Sequence, residues 1–103
     1  MIEETIESII KKVKGYEIEK EVDIDDFYDS LWKDLGIKKK LAYKIVRSVY
    51  WYLLDNKFIK VYQNGGMKIK RVKEFNESEI KERVLEEYKV YLIASFEKYK
   101  NSI

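Results

Sequence analysis

Four glycines and no proline leave this 103-residue chain only three strong breaks, at Gly15, at Gly36 and at the pair Gly65–Gly66. Between the breaks the apolar residues recur with two different periods. Helix-period pieces alternate with strand-period pieces, and that alternation admits only a mixed fold with a small sheet beside several helices. The expected class is α+β, mainly helical, in one domain spanning residues 1–103.

Ile2, Ile6, Ile9, Ile10 and Val13 stand at helical spacing with Glu and Lys between them, which predicts an amphipathic first helix stopped by Gly15. Over residues 16–24, Tyr16, Ile18, Val22 and Ile24 alternate with Glu17, Glu19, Glu21 and Asp23, the pattern of a short strand with one buried face. Asp23 or Asp25 can cap a second helix to about Leu35, with Phe27, Leu31 and Leu35 inward. A third helix follows Lys38–Lys39–Lys40 and runs to about Asn56. Its core stripe is Leu41, Ile45, Val49 and Leu53, widened by Ala42, Val46 and Tyr52.

Residues 58–73 read as a β-hairpin around Asn64-Gly65-Gly66. A two-residue loop would pair Val61 with Lys68 and mix the faces. A three-residue loop pairs Val61 with Ile69 and Lys60 with Lys70. Ile59, Val61, Met67 and Ile69 then share one side, and Lys60, Tyr62, Lys68 and Lys70 the other. The expected loop is therefore the three-residue one, with Gly65 or Gly66 at positive φ. Asn76 followed by Glu79 is a capping box for a last helix over residues 76–100. Its stripe of Ile80, Val84, Leu85, Tyr88, Tyr91, Leu92, Phe96 and Tyr99 is wide for one small core. The surplus suggests a homodimer through this helix, unless the domain itself wraps both sides.

Charge is sorted along the chain. Residues 1–35 hold 5 basic and 11 acidic side chains, residues 36–73 hold 11 basic and a single acid (Asp55), and residues 74–103 hold 5 basic and 7 acidic. The formal net charge of +2 conceals a middle block of +10. If those cations share a face, they make an electrostatic footprint for a polyanion. The bland alternative is that they solubilise a helix and a hairpin and pair with acids elsewhere.

Without Cys there is no disulfide or thiolate chemistry, and without His the usual general base near neutral pH is missing. Both absences also remove the usual zinc ligands, and no cofactor is expected. Asp25 and Asp29 could share a magnesium ion on one helix face, but acids crowd the first turn of helices for dipole reasons alone, and that reading is preferred. No phosphate loop or nucleophile elbow is visible, so no catalytic residue and no enzyme activity are expected. No apolar run spans a bilayer and the acidic start is no signal peptide, so the expected location is cytoplasmic, without a membrane partner. A composition rich in Lys, Glu, Ile and Tyr resembles that of small proteins from hyperthermophilic archaea or their viruses, which would make it a host cytoplasm in the viral case.

The order helix, strand, helix, turn, helix, hairpin resembles the winged helix-turn-helix family over residues 2–73, with the last helix as an appendage. The turn Asp34-Leu35-Gly36-Ile37 carries the resemblance, as do Asp55-Asn56-Lys57-Phe58-Ile59 leading into the hairpin and Asn64-Gly65-Gly66 at its tip. Two departures are a third helix about one turn longer than usual and lysines where that helix commonly has a Ser/Thr cap. The resemblance implies double-stranded DNA as partner and a role in transcription regulation. The third helix would lie in the major groove and the hairpin, residues 58–73, would act as the wing on the backbone.

Carried onto this chain, the groove face is Lys40, Tyr43, Lys44, Arg47, Tyr50 and Trp51, at steps of three and four. Arg47 has the fork geometry for a guanine edge and lysines neutralise phosphates. Lys38, Lys39 and Lys40 sit where the helix dipole already favours an anion, and their crowding there is easier to understand with a phosphate as neighbour, the alternative being a solvated turn. On the wing the candidates are Lys60, Tyr62, Asn64, Lys68 and Lys70. Tyr50, Trp51 and Tyr52 cannot all be core, and packing against the terminal helices is the expected fate of two. Rival readings are a protein-interaction module whose basic face meets an acidic protein, and a single-strand binder stacking bases on Tyr43, Tyr50, Trp51 and Tyr62.

Overall fold

In the computed structural model of the protein the described residues are 2–33 and 35–99, the last of them for its backbone alone. The elements in chain order are α1 (Ile2–Lys14), β1 (Val22–Asp23), α2 (Ile24–Trp32), α3 (Lys39–Asp55), β2 (Ile59–Gln63), β3 (Met67–Arg71) and α4 (Glu77–Tyr99). The three strands form one antiparallel sheet in the order β1-β3-β2. The class is α+β and mainly helical, as the alternation of periods requires. Asp34 of the expected turn, the Tyr99 side chain and residue 100 lie outside the described residues.

Helix-period apolar residues make the core. Ile6, Ile9, Ile10 and Val13 of α1, Phe27 and Leu31 of α2, and Leu41, Ile45, Val49 and Leu53 of α3 are all buried together. Each such side chain contributes about 1.5–3 kcal/mol on leaving water, and α3, touching α1, α2, α4 and β2, is the central element. Ser48 is buried on α3 without penalty because its hydroxyl donates to the Ile45 carbonyl at 2.8 Å.

The hairpin has the register that face-sorting demands. Val61 pairs with Ile69 and Lys60 with Lys70, and Gln63 and Met67 close a loop of Asn64, Gly65 and Gly66. Both glycines have positive φ, +68° and +133°, the second out of reach of ordinary L residues. The core side carries Ile59 and Ile69, both buried, and Arg71, which is also buried.

Four expectations need correction. Residues 16–24 are not one strand. Ile18 makes a lone parallel bridge to Arg71, while Val22 and Asp23 pair antiparallel with β3. The chain therefore reverses between them, at a left-handed Glu19 (φ 69°), and leaves Ile18 exposed. The reversal lets the segment leave α1 and enter α2 at Ile24 from the same sheet edge. Second, α2 stops at Trp32, not Leu35, because Lys33 is already extended (ψ 143°), and Leu35 reaches the core from the loop. Third, Tyr50 belongs to the buried set and not to the outer face.

The fourth correction concerns α4. Asn76 Oδ1 accepts the Glu79 N–H at 3.0 Å, half of the expected capping box. The helix kinks at Tyr88 (φ −109°, ψ 15°) and packs against both α1 and α3. Ile80, Val84 and Leu92 are buried, and Leu85, Tyr88, Tyr91 and Phe96 pack on the core. The wide stripe is thus used within the chain, since the kink lets one helix serve two neighbours. Its exposed apolar residues are instead Val90 (82%) and Ile93 (51%), outside that stripe. No helix among the described residues is long and apolar enough to cross a membrane.

Candidate nucleic-acid interface

The outer strip of α3 is inset between two neighbours. On one flank Tyr28 of α2 lies against Tyr43 and Tyr50, with ring centroids 6.2 and 5.0 Å apart. On the other, Tyr91 of α4 lies 6.5 Å from the Trp51 ring and under the Lys44 ammonium at 5.9 Å. Burial pushes the Tyr28 and Tyr50 phenols up, so both stay neutral and behave as wall rather than as titrating groups.

Arg47 stands in the middle of the strip. Its guanidinium carbon is 4.5 Å from the centroid of Trp51 and 5.7 Å from that of Tyr43. Cation–π attraction to both rings holds the guanidinium at this place, and its planar fork has the N–H groups for a two-pronged contact. At the head of the helix Lys38 is the N-cap residue with no side-chain cap bond, no acid occupies the first turn, and Lys38, Lys39 and Lys40 are exposed. The Lys39 ammonium rests 4.9 Å from the Trp32 ring centroid. Among the described residues none of Lys38, Lys39, Lys40, Lys44 and Arg47 has a carboxylate within ion-pair distance.

The hairpin is electrostatically opposite. Lys68 pairs with Asp23 and Lys70 with Glu19 at 2.7 Å. Glu21 accepts hydrogen bonds from the Tyr62 hydroxyl at 2.6 Å and from Asn64 Nδ2 at 3.0 Å. These bonds hold the Glu21 carboxyl below its ordinary range and push the Tyr62 phenol up to about 12. The Lys68 ammonium is also raised, chiefly by its bond to Asp23. Of the hairpin candidates only Lys60 stands exposed without such a partner among the described residues. Arg71, counted in the basic block, is turned inward and donates to the carbonyls of Lys14 and Tyr16.

The basic block is therefore divided, with a free strip on α3 and a neutralised face on the hairpin. Sequence reasoning missed the flanking Tyr28 and Tyr91, which lie far from α3 in the chain. It set Glu19, Glu21 and Asp23 on one alternating face and allowed that the hairpin cations pair with acids elsewhere, as Lys68 and Lys70 do, but it did not join that row to the hairpin. Of the four residues proposed for stacking single-stranded bases, Tyr50 is buried and the Tyr62 hydroxyl is engaged, which leaves Tyr43 and Trp51. No cluster of three or more Asp or Glu suited to a metal ion occurs among the described residues, and Asp29 instead accepts the Trp32 indole N–H at 3.3 Å. Comparison with known proteins finds nothing similar, since no family model, curated protein or solved structure matches the chain.

Proposed function

We propose that this protein is a winged helix-turn-helix DNA-binding protein that regulates transcription, with α3 in the major groove of a duplex. One observation carries the reading. Lys40, Lys44 and Arg47 line one strip of α3 with Lys38 and Lys39 at its head, and among the described residues none of the five has a carboxylate within ion-pair distance, whereas Lys68 and Lys70 of the hairpin are paired. Crowded like charge is tolerated most readily where a polyanion is the expected neighbour. The open N-terminus of α3 adds backbone N–H groups and the positive end of the dipole at the same place. Arg47, held beside Trp51 and Tyr43, is the candidate for base contact, while Lys38, Lys39, Lys40 and Lys44 neutralise phosphates.

We further propose a symmetric pair of chains through the second half of α4. Val90 and Ile93 supply the exposed apolar centre.

Fluorescence anisotropy of a labelled random-sequence duplex tests the DNA reading. With Lys38, Lys39, Lys40, Lys44 and Lys60 on phosphates, log affinity falls against log salt with a slope of about −4.5, a loss of ~500-fold between about 50 and 200 mM. No binding at the lower salt, or a slope flatter than about −2, refutes the reading. Equal binding of single strands would favour the stacking alternative on Tyr43 and Trp51.

A further inference from the structure

The hairpin lysines pose a question that the DNA reading leaves open, because the groups that would meet a wing's phosphates are already occupied. Glu19 holds Lys70, Asp23 holds Lys68, and Glu21 between them holds Tyr62 and Asn64. Of the three acids only Asp23 lies in a strand paired with β3, while Glu19 stands at the chain reversal and Glu21 just before β1, and it is their bonds to Lys70, Tyr62, Asn64 and Lys68 that bring all three carboxylates onto the hairpin's outer face. The Lys68 and Lys70 side chains are only 20% and 25% exposed as a result, although they lie on the outward side of the sheet. Lys70 also lies over the Tyr62 ring at 5.5 Å, so the row is continuous from one strand to the next.

We infer that residues 19–23 act as an internal polyanion mimic that masks the hairpin from the DNA backbone. The inference rests on the duplex reading and refines it. A carboxylate row and a phosphate row need the same donors, and Lys68 and Lys70 cannot neutralise both. Exposed ion pairs are individually weak, so duplex phosphates can displace them, but only in competition. The mask restricts the unaided protein to contacts from α3 and Lys60, and contact through Lys68 and Lys70 requires Asp23 and Glu19 to let go.

The test is a Glu19→Gln/Asp23→Asn double variant, compared with wild type and with Glu17→Gln/Asp25→Asn, which changes net charge equally but releases no hairpin lysine. Glu19 and Asp23 are 57% and 56% exposed, and Asp23 makes no side-chain cap bond, so both amides fit the fold. Each additional phosphate neutralised steepens the salt slope by about 0.9, about eightfold in affinity at 0.1 M relative to 1 M salt. The masking variant is expected to bind a random duplex ~60-fold more tightly than wild type, with a slope steeper by about 1.8. Each single variant should give about half the slope change, which keeps the inference testable if the double variant folds poorly. A control that gains as much as the masking variant, or an unchanged slope, overturns the mask while leaving duplex binding standing. Failure of all the proteins to bind at about 50 mM salt overturns the duplex reading, and the mask with it.

Discussion

Arg71 ties the hairpin to the helices, and replacing it separates hydrogen bonding from packing. It faces the core opposite Ile59 and is 4% exposed. Nη1 donates to the carbonyls of Lys14 at 3.0 Å and Tyr16 at 2.7 Å, closing the end of α1 onto β3. Nε and Nη2 have no hydrogen-bond acceptor among the described residues, and the Glu74 carboxylate, 3.6 Å from Nη2, supplies charge alone. Arg71→Met removes two charge-assisted bonds of about 1.5–3 kcal/mol each. It also relieves the burial of a guanidinium with two unpaired nitrogens, a cost of several kcal/mol. The two changes nearly cancel, and the expected net loss is about 1 kcal/mol. Arg71→Ala loses the same bonds and in addition two stem methylenes, Cγ and Cδ, of about 0.8 kcal/mol each, leaving a cavity, for about 4 kcal/mol in all. For a domain of this size the melting temperature falls by ~20 °C for Ala and ~5 °C for Met. Urea titration followed by tryptophan fluorescence, with calorimetry for Tm, reads both. Equal destabilisation by Met and Ala would refute the argument, because the two carbonyl bonds would then outweigh both desolvation and stem packing.

Three further outcomes are expected. Arg47→Ala flattens sequence preference in a binding-site selection, and Arg47→Lys fails to restore it because an ammonium lacks the two-pronged edge; equal losses on every sequence would remove Arg47 from base contact. Ile93→Asp shifts the mass measured by light scattering from dimer to monomer over a range of concentrations, whereas an unchanged mass would exclude α4 pairing. Deleting α4 is no substitute for that variant, because Ile80, Val84 and Leu92 are core residues and their loss unfolds the chain. Glu21→Gln brings the Tyr62 phenol from about 12 back towards its ordinary value near 10, read by tyrosinate absorbance. The sign follows for stability: the raised Tyr62 contributes fully below pH 10 and loses its contribution as pH rises through about 12. The lowered Glu21 contributes above the ordinary carboxylate range and loses its contribution as pH falls through its lowered value. A Tyr62 titration unmoved by Glu21→Gln would deny the bond.

Local pattern was enough for much of the fold. The stripe Leu41, Ile45, Val49, Leu53 needs only the helical period and one apolar side. The Asn76 cap needs only an acceptor three residues before a helical N–H. The hairpin register needs only the rule that a slip of one residue exchanges the faces, which selects Val61 opposite Ile69. Each is decided by residues within a few positions of one another, so the chain carries the answer in its own order.

What the sequence could not decide was which charges are free. The same Lys-x-Lys spacing serves for a phosphate-binding wing or for an ion-paired sheet, and the choice depends on Glu19 and Asp23, more than forty positions away from Lys70 and Lys68. Arg71 reads as one more surface cation until its strand position turns it against Ile59 and the end of α1. Tyr28 and Tyr91 become the walls of the α3 strip only after α2 and α4 pack on either side of it. Period and capping are properties of neighbours in the chain. Burial and Coulomb partnership are properties of neighbours in space, and in this protein they alone separate the open basic strip on α3 from the occupied one on the hairpin.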